Sequence, residues 1–217
     1  MYCPLYIYAN FSYYISEVAA MEKQEQLRKM VNNNGGVLYT AMATAEGISR
    51  PTVADFVRRN GLLTVHRGIY CDPNAWTDEL YILQLRCPKT ILSHETALYL
   101  HDMTDREPLE ASVTAKTGYN PSHLTRDGVK VFTVKASLFE LGKIEAKTAY
   151  GHTVFTYDME RTICDLVRSR SSMDAQVYQD ALKQYVKRKD KNLHHLISYA
   201  RLFHVEKIIM PYLEVLL

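Results

Sequence analysis

The chain has 217 residues, enough for one large domain or two small ones, and its 47% hydrophobic and 23% charged residues are typical of an ordinary globular protein. The four cysteines, Cys3, Cys71, Cys87 and Cys164, include no close pair and have no histidine at metal-site spacing. This pattern suggests neither a disulfide framework nor a zinc site, and a reducing cytoplasm fits it best. We expect no metal and no cofactor.

The net charge of +2 is unevenly distributed. Residues 22–70 carry seven Lys/Arg against four Asp/Glu, a balance of +3, whereas residues 71–160 carry nine against thirteen, a balance of −4. Residues 161–217 carry ten against six, a balance of +4. Two basic ends around an acidic middle would suit DNA contact at one end and a protein partner elsewhere. Chance scatter of surface charge is the alternative explanation.

The N-terminal stretch is rich in tyrosine and contains no Lys or Arg over residues 1–20. Polar residues interrupt its apolar run, so it predicts neither a signal peptide nor a membrane span. We interpret residues 1–21 as a start-site extension, with translation beginning at Met21. A disordered segment, or a strand or helix packed on the body of the protein, is the alternative.

The next stretch predicts three helices. Apolar residues spaced i, i+3, i+4 are typical of a surface helix over residues 22–33. A short helix, Ala41–Glu46, then leads to Gly47, which can adopt a turn conformation that other residues resist. Ser49 is expected to cap a third helix that ends at about Asn60.

The third helix has a polarity that suits the major groove of DNA. Val53, Phe56 and Val57 share one face, which we expect to be buried against the preceding helices. The opposite face and its margins carry arginines and small residues. Arginine can form paired hydrogen bonds to guanine, and small residues allow the helix to approach the bases. An ordinary amphipathic helix with a solvated charged face is the alternative.

A glycine-turned hairpin follows, with Leu63–Val65 and Ile69–Cys71 on either side of Arg67-Gly68. Helix, turn, helix and wing in this order is a DNA-reading layout, in which the wing tip contacts phosphate or the adjacent minor groove. The sequence therefore predicts a winged helix-turn-helix DNA-binding domain over residues 22–73. The residues expected to contact double-stranded DNA are Ser49, Arg50, Pro51, Thr52, Asp55, Arg58, Arg59, His66, Arg67 and Tyr70.

Residues 74–217 predict a C-terminal α/β domain, so that the fold class is α+β. The expected helices are Trp76–Cys87, His94–His101 with Ser93 as its cap, and four more from Asp158 onward, two of them capped by Asp158 and Asp174 and the last running Ile208–Leu217. Three β-branched runs predict a small sheet between these groups of helices: Ala111–Ala115, Val129–Val134 and His152–Tyr157.

Two patterns in this domain match enzyme motifs only in part. His94-Glu95 begins like the HExxH motif of zinc proteases, but the residue at i+4 is Leu98, so we expect structural roles for His94 and His101. Glu145-Ala-Lys147, with Asp127 as a second carboxylate, could belong to a metal-dependent nuclease. An isolated triplet of this kind arises easily by chance, and we predict that the chain is not an enzyme.

Three stretches together resemble the AbiEi-type antitoxins of bacterial abortive-infection systems, which are type IV toxin–antitoxin systems. The stretches are GISRPTVADFVRRNGLLTVHRGIY at residues 47–70, ILSHETALYLHDMTD at residues 91–105 and FTYDMERTICDLV at residues 155–167. They occur in the family's order and spacing, and the resemblance spans roughly residues 22–205.

The resemblance implies a winged helix-turn-helix joined to a larger C-terminal α/β domain. It implies an autorepressor that binds inverted repeats in its own promoter and takes part in phage defence. The C-terminal domain would counteract a cognate nucleotidyltransferase-type toxin without a stable complex, and no membrane partner is implied. The DNA-contact role falls on Ser49 to Arg59 and His66 to Tyr70. A stand-alone transcriptional regulator, a nuclease-like enzyme delivered by the winged domain, and a protein-interaction module are the alternatives.

Overall fold

The computed structural model describes residues 4–173 and 175–216, with the side chains of residues 4–16, 175 and 216 left outside the description. Helices and two sheets share the chain, which confirms the α+β class. The chain divides into two compact units, residues 1–82 and residues 83–217, and the division falls within a helix at Glu79–Arg86. Within the described part of the chain, no helix combines the length and apolar content needed to cross a membrane.

Between residues 4 and 78, which the structure describes, the first unit contains three helices and a small sheet. In chain order these are α1 (Pro4–Asn33), β1 (Val37–Tyr39), α2 (Thr40–Ala45), α3 (Arg50–Asn60), β2 (Leu63–His66) and β3 (Ile69–Cys71). The strands are antiparallel in the order β1-β3-β2, and Tyr70 of the central strand lies opposite Leu38 and Thr64. The helix expected at residues 22–33 is thus longer, because it extends back to Pro4.

An apolar core joins the three helices of this unit to the sheet. Leu27 and Val31 of α1 pack with Val53 and Phe56 of α3, together with Leu38, Ala43 and Ile48. Val57 is half-buried and packs against the same cluster. The predicted inward face of α3 is therefore confirmed, and its burial fixes which side of the helix is left for solvent.

The second unit is built on a mixed five-stranded sheet. The division between the units falls within α4 (Glu79–Arg86). The elements that follow α4 are β4 (Thr90–Leu92), α5 (His94–Leu100), β5 (Ser112–Lys116), α6 (Ser122–Arg126), β6 (Lys130–Val134), α7 (Ala136–Phe139), β7 (Lys143–Lys147), β8 (Thr153–Tyr157), α8 (Met159–Arg168), a 3-10 turn (Arg170–Ser172), α9 (Ala175–Lys187), α10 (Leu193–Leu202) and α11 (Glu206–Leu216). The strand order is β6-β5-β4-β8-β7. The pairs β5–β6 and β4–β8 are parallel, and the pairs β4–β5 and β7–β8 are antiparallel.

Helix α4 is shorter than the predicted Trp76–Cys87. The Asp78 carboxylate accepts a hydrogen bond from the Tyr81 N–H at 3.1 Å and so caps the helix, leaving Trp76 outside it with 81% of its surface exposed. The structure also contains two strands, β4 and β7, that are not among the three predicted from the sequence. Strand β4 has only three residues, too few for a periodic pattern to show in the sequence.

The expected Ser93 cap of α5 is wrong. Ser93 occupies the position before the helix, but its side chain makes no capping hydrogen bond. The Thr96 N–H instead donates to the Ser112 hydroxyl at 3.1 Å, a residue of the neighbouring strand β5. A serine from another part of the chain thus accepts a hydrogen bond from one of the free N–H groups at the start of the helix, and a local sequence motif cannot reveal such a partner.

Helix α8 lies at the centre of the second unit, with every residue from Glu160 to Val167 buried. The predicted Asp158 cap is confirmed, since its carboxylate accepts from the Arg161 N–H at 2.7 Å. The apolar side chains of α8 pack with those of α9, α10 and α11 in one core. The predicted Asp174 cap and the helix end at Leu217 lie outside the described residues.

Candidate nucleic-acid interface

The N-terminus of α3 carries two hydroxyl groups in an ordered arrangement. Ser49 is in extended conformation and its hydroxyl accepts from the Thr52 N–H at 3.4 Å, so it caps the helix as predicted. The Ser49 and Thr52 hydroxyls lie 2.8 Å apart and are hydrogen-bonded to each other. Pro51 is exposed in the first turn, where its missing N–H leaves no helix hydrogen bond unmade.

Further along the outward face of α3, one carboxylate holds two arginines. The Asp55 carboxylate accepts a hydrogen bond from Arg58 Nη2 at 2.6 Å and forms an ion pair with Arg59, whose Nε lies 2.7 Å away. The side chains of Arg58 and Arg59 are 80% and 68% exposed, whereas that of Asp55 is 27% exposed. The hydrogen bond from Arg58, together with the nearby Arg59 guanidinium, lowers the pKa of the Asp55 carboxyl. The three residues therefore present one net positive charge.

Arg50 and Arg67 are exposed, and within the described residues neither forms an ion pair. Arg50 is the first residue of α3, and Arg67 lies with Gly68 in the turn between β2 and β3. His66, the last residue of β2, is also exposed. These side chains keep their hydrogen-bond donors available to a ligand, and the two arginines add two further positive charges.

The hairpin follows α3 without a linker. Gly61 adopts a left-handed conformation at φ 66°, and the Leu62 N–H donates to the Val57 carbonyl at 3.1 Å, which turns the chain directly into β2. All four residues of β2 are exposed, including Leu63 at 57% and Val65 at 42%.

Tyr70 differs from the other predicted contact residues. It is half-buried on β3 and packs against the apolar core of the first unit. Its ring therefore supports the hairpin from within. The structure places the ten predicted residues on one helix and the hairpin that follows it, and their contact with DNA stays a prediction.

The two histidines of the HExxH-like stretch are tied into the second unit. The His94 ring is fully buried, hydrogen-bonded to the Ser93 and Ser169 hydroxyls at 2.9 and 3.1 Å, and stacked on Phe132 with 3.5 Å between ring centroids. Burial, followed by the nearby Arg168 and Arg161 guanidinium groups, holds the pKa of His94 well below 6.5. His101 Nε2 lies 2.6 Å from the Tyr157 carbonyl oxygen.

The residues of the nuclease-like pattern are not brought together. Asp127 precedes β6, one edge of the sheet, and pairs with Arg86. Glu145 and Lys147 lie on β7, the opposite edge. Within the part of the chain that the structure describes, no group of three or more His, Cys, Asp or Glu side chains could hold a metal ion. The pattern therefore provides no two-carboxylate metal site.

Two ionic arrangements were missed by reasoning from the sequence. The sharing of Asp55 by two arginines could have been predicted from the sequence, because i+3 and i+4 spacing places all three residues on one side of a helix. The burial of Arg161 could not have been predicted in this way. Its guanidinium is fully enclosed between the rings of Tyr157 and Phe203, each 4.2 Å from it, and pairs with the buried Asp165 at 2.8 Å.

Comparison with known proteins supports the fold alone. No protein-family model matches the chain, and no curated protein is significantly similar to it in sequence. A crystal structure of the RV2827C protein from Mycobacterium tuberculosis is similar to this chain, with a TM-score of 0.53 and 15% sequence identity. The similarity covers 81% of this chain and 70% of that one. At this identity the likeness concerns the α+β architecture and carries no activity with it.

Proposed function

We propose that this chain is a cytoplasmic, sequence-specific DNA-binding regulator whose first unit is a winged helix-turn-helix. The observation that carries the proposal is the outward face of α3, which presents Arg50, Arg58 and Arg59 to solvent while its opposite face is fixed in the core. Helix α3 would lie in the major groove, where arginine recognises guanine.

The remaining predicted residues take supporting roles in this proposal. The Ser49 and Thr52 hydroxyls at the start of α3 would donate to backbone phosphate, a common use of a helix N-terminus in DNA complexes. Arg67, exposed in the hairpin turn, would contact phosphate or the adjacent minor groove. Tyr70 would hold the hairpin in place from the core side.

We further propose that the regulator is the antitoxin of a type IV abortive-infection system, which represses its own promoter and counteracts a nucleotidyltransferase-type toxin. This part of the proposal rests on the resemblance of residues 47–70, 91–105 and 155–167 to AbiEi-type antitoxins. The second and third stretches contain β4, α5, β8 and α8, which pack together and are largely buried. These two stretches therefore belong to the core of the second unit. No residues are assigned to a surface that would act against the toxin.

The DNA-binding proposal is tested by replacing Arg58 and Arg59 together with alanine and measuring binding to the chain's own promoter. An arginine that reads a base should cost about 1–3 kcal/mol when removed and relax specificity at one position, and one that contacts phosphate should reduce the salt slope by about 1. The matched control is Arg28→Ala with Lys29→Ala, which removes the same charge from exposed positions of α1. Unchanged binding in the α3 variant, or equal loss in both, would show that α3 is not the reading helix.

The antitoxin role has a separate test. A downstream gene for a nucleotidyltransferase-like protein, toxic when expressed alone and tolerated when this chain is co-expressed, is the expected result. A chain that binds its promoter but leaves the toxicity unchanged would instead be a stand-alone regulator.

A further inference from the structure

The arrangement of Asp55, Arg58 and Arg59 gives the proposed DNA interface a feature beyond its positive charge. One carboxylate forms ion pairs with two guanidinium groups, at N···O distances of 2.6 and 2.7 Å, and Asp55 is the least exposed of the three residues. Spacing of three and four residues places the pair of arginines on the same side of α3 as the aspartate. Both arginine side chains are therefore directed by one anchor on the helix surface.

We propose that Asp55 is a specificity-determining residue of this interface, which holds Arg58 and Arg59 for base contact and opposes their use in non-specific phosphate binding. The inference rests on the proposed DNA-binding function. It assigns Asp55 a positioning role that acts through the two arginines.

The pairing with Asp55 leaves both arginines competent to read bases. A guanidinium group has five N–H donors, of which Arg58 donates one to Asp55 through Nη2, and the closest atom of Arg59 to the carboxylate is Nε. Four donors remain on each group for a guanine edge. Because Asp55 already restricts the two long side chains, less rotamer entropy is lost when they bind a base.

The same carboxylate weakens contacts that carry no sequence information. With Asp55 present, the three residues sum to one positive charge, and with Asp55 neutralised they would sum to two. An arginine that contacts a phosphate must either give up its ion pair with Asp55 or bring the Asp55 carboxylate close to the negatively charged DNA backbone. Both alternatives weaken the phosphate contact. At a suitable sequence the carboxylate can itself accept from the cytosine amino group, so we expect the preferred duplex to contain G·C pairs at the bases facing Asp55.

The test compares wild type with Asp55→Asn, which keeps the shape of the side chain and removes its charge. Fluorescence anisotropy is measured from 50 to 200 mM salt with two duplexes of equal length. One is the duplex that wild type selects most strongly from a random pool, and the other is its scrambled version. The control is Glu46→Gln, because Glu46 is exposed next to the turn before α3 and, among the described residues, forms no ion pair.

Asp55→Asn is expected to bind the scrambled duplex more tightly than wild type. One added phosphate contact steepens the salt dependence by about 0.9, so this advantage should shrink roughly 3.5-fold between 50 and 200 mM salt. The ratio of selected to scrambled affinity should fall about tenfold, the lower part of the range for a lost base contact. Glu46→Gln should keep that ratio within about twofold of wild type.

The outcomes separate the two proposals. If wild type discriminates between the duplexes but Asp55→Asn keeps the full ratio, or changes it no more than Glu46→Gln does, the role of Asp55 is refuted while DNA binding stands. If wild type selects no duplex and binds none at 50 mM salt, the proposed function fails, and the role of Asp55 fails with it.

Discussion

The buried ring of His94 makes a specific prediction about stability and pH. Asn is the replacement of choice, because His94 has a positive φ of 52°, a conformation that asparagine tolerates better than most residues. Asparagine also keeps hydrogen-bonding groups beside Ser93 and Ser169, and it cannot take up a proton near neutral pH. The comparison of wild type with His94→Asn therefore isolates the titration of one imidazole.

The sign and size of the effect follow from the location of the ring. Burial of the ring, together with the nearby Arg168 and Arg161 guanidinium groups, holds the pKa of His94 in the folded chain well below 6.5. Below pH 6.5 the unfolded chain binds a proton that the folded chain does not, so the free energy of unfolding falls as the pH is lowered. For one histidine that stays neutral in the folded chain, the loss between pH 7.5 and pH 5.5 is about 1.4 kcal/mol.

The measurement is urea unfolding at pH 7.5, 6.5 and 5.5, followed by near-ultraviolet circular dichroism, to which the buried tyrosines Tyr157 and Tyr185 contribute. Asparagine loses the stacking on Phe132 at every pH, so only the change in the difference between the two proteins is informative. The stability advantage of wild type over His94→Asn should shrink by about 1.4 kcal/mol from pH 7.5 to pH 5.5, while the titration of the other histidines cancels. An advantage that stays constant would show that the ring is not held neutral in the folded chain.

The remaining predictions concern packing around Arg161 and use thermal or urea unfolding. Gly142→Ala should destabilise the chain by about 2–4 kcal/mol, because Gly142 has φ 73° and a Cβ there would lie 2.9 Å from the Arg161 Cβ. Gly151→Ala, at φ 85° with nothing within 4 Å of the added Cβ, should cost only about 1 kcal/mol, and equal losses would refute the close contact. Arg161→Met should cost about 3–5 kcal/mol by leaving the buried Asp165 carboxylate without this partner, and adding Asp165→Leu should recover most of the loss. A double variant no more stable than Arg161→Met would contradict the ionic explanation.

Much of the first unit could be predicted because its signals are local. The Ser49 cap, the left-handed Gly61 and the turn at Arg67-Gly68 each act within a few residues of their own position. The apolar face of α3 repeats every three or four residues, so burial of Val53 and Phe56 follows from the period of the helix itself. These features therefore do not depend on contacts between distant parts of the chain.

The second unit contains the features that local signals do not reach. Ser93 has the residue type and position of a cap, yet the hydroxyl of Ser112, on the next strand of the sheet, bonds the Thr96 N–H in its place. Asp127 and Glu145 could have formed a carboxylate pair, but strand order puts them at opposite edges of the sheet. Sheet order depends on pairing between segments far apart in the chain, which local propensity does not encode.

Sequence alone therefore determined α2, α3, the hairpin and the polarity of α3, since each depends on neighbours within one or two turns. Tertiary structure decided which charged groups are buried. It enclosed the Arg161 guanidinium between two rings and beside Asp165, whereas the sharing of Asp55 by Arg58 and Arg59 is local to α3. The physical reason is that the state of an ionic group depends on burial and on the positions of all nearby charges, and these exist only once the chain has folded.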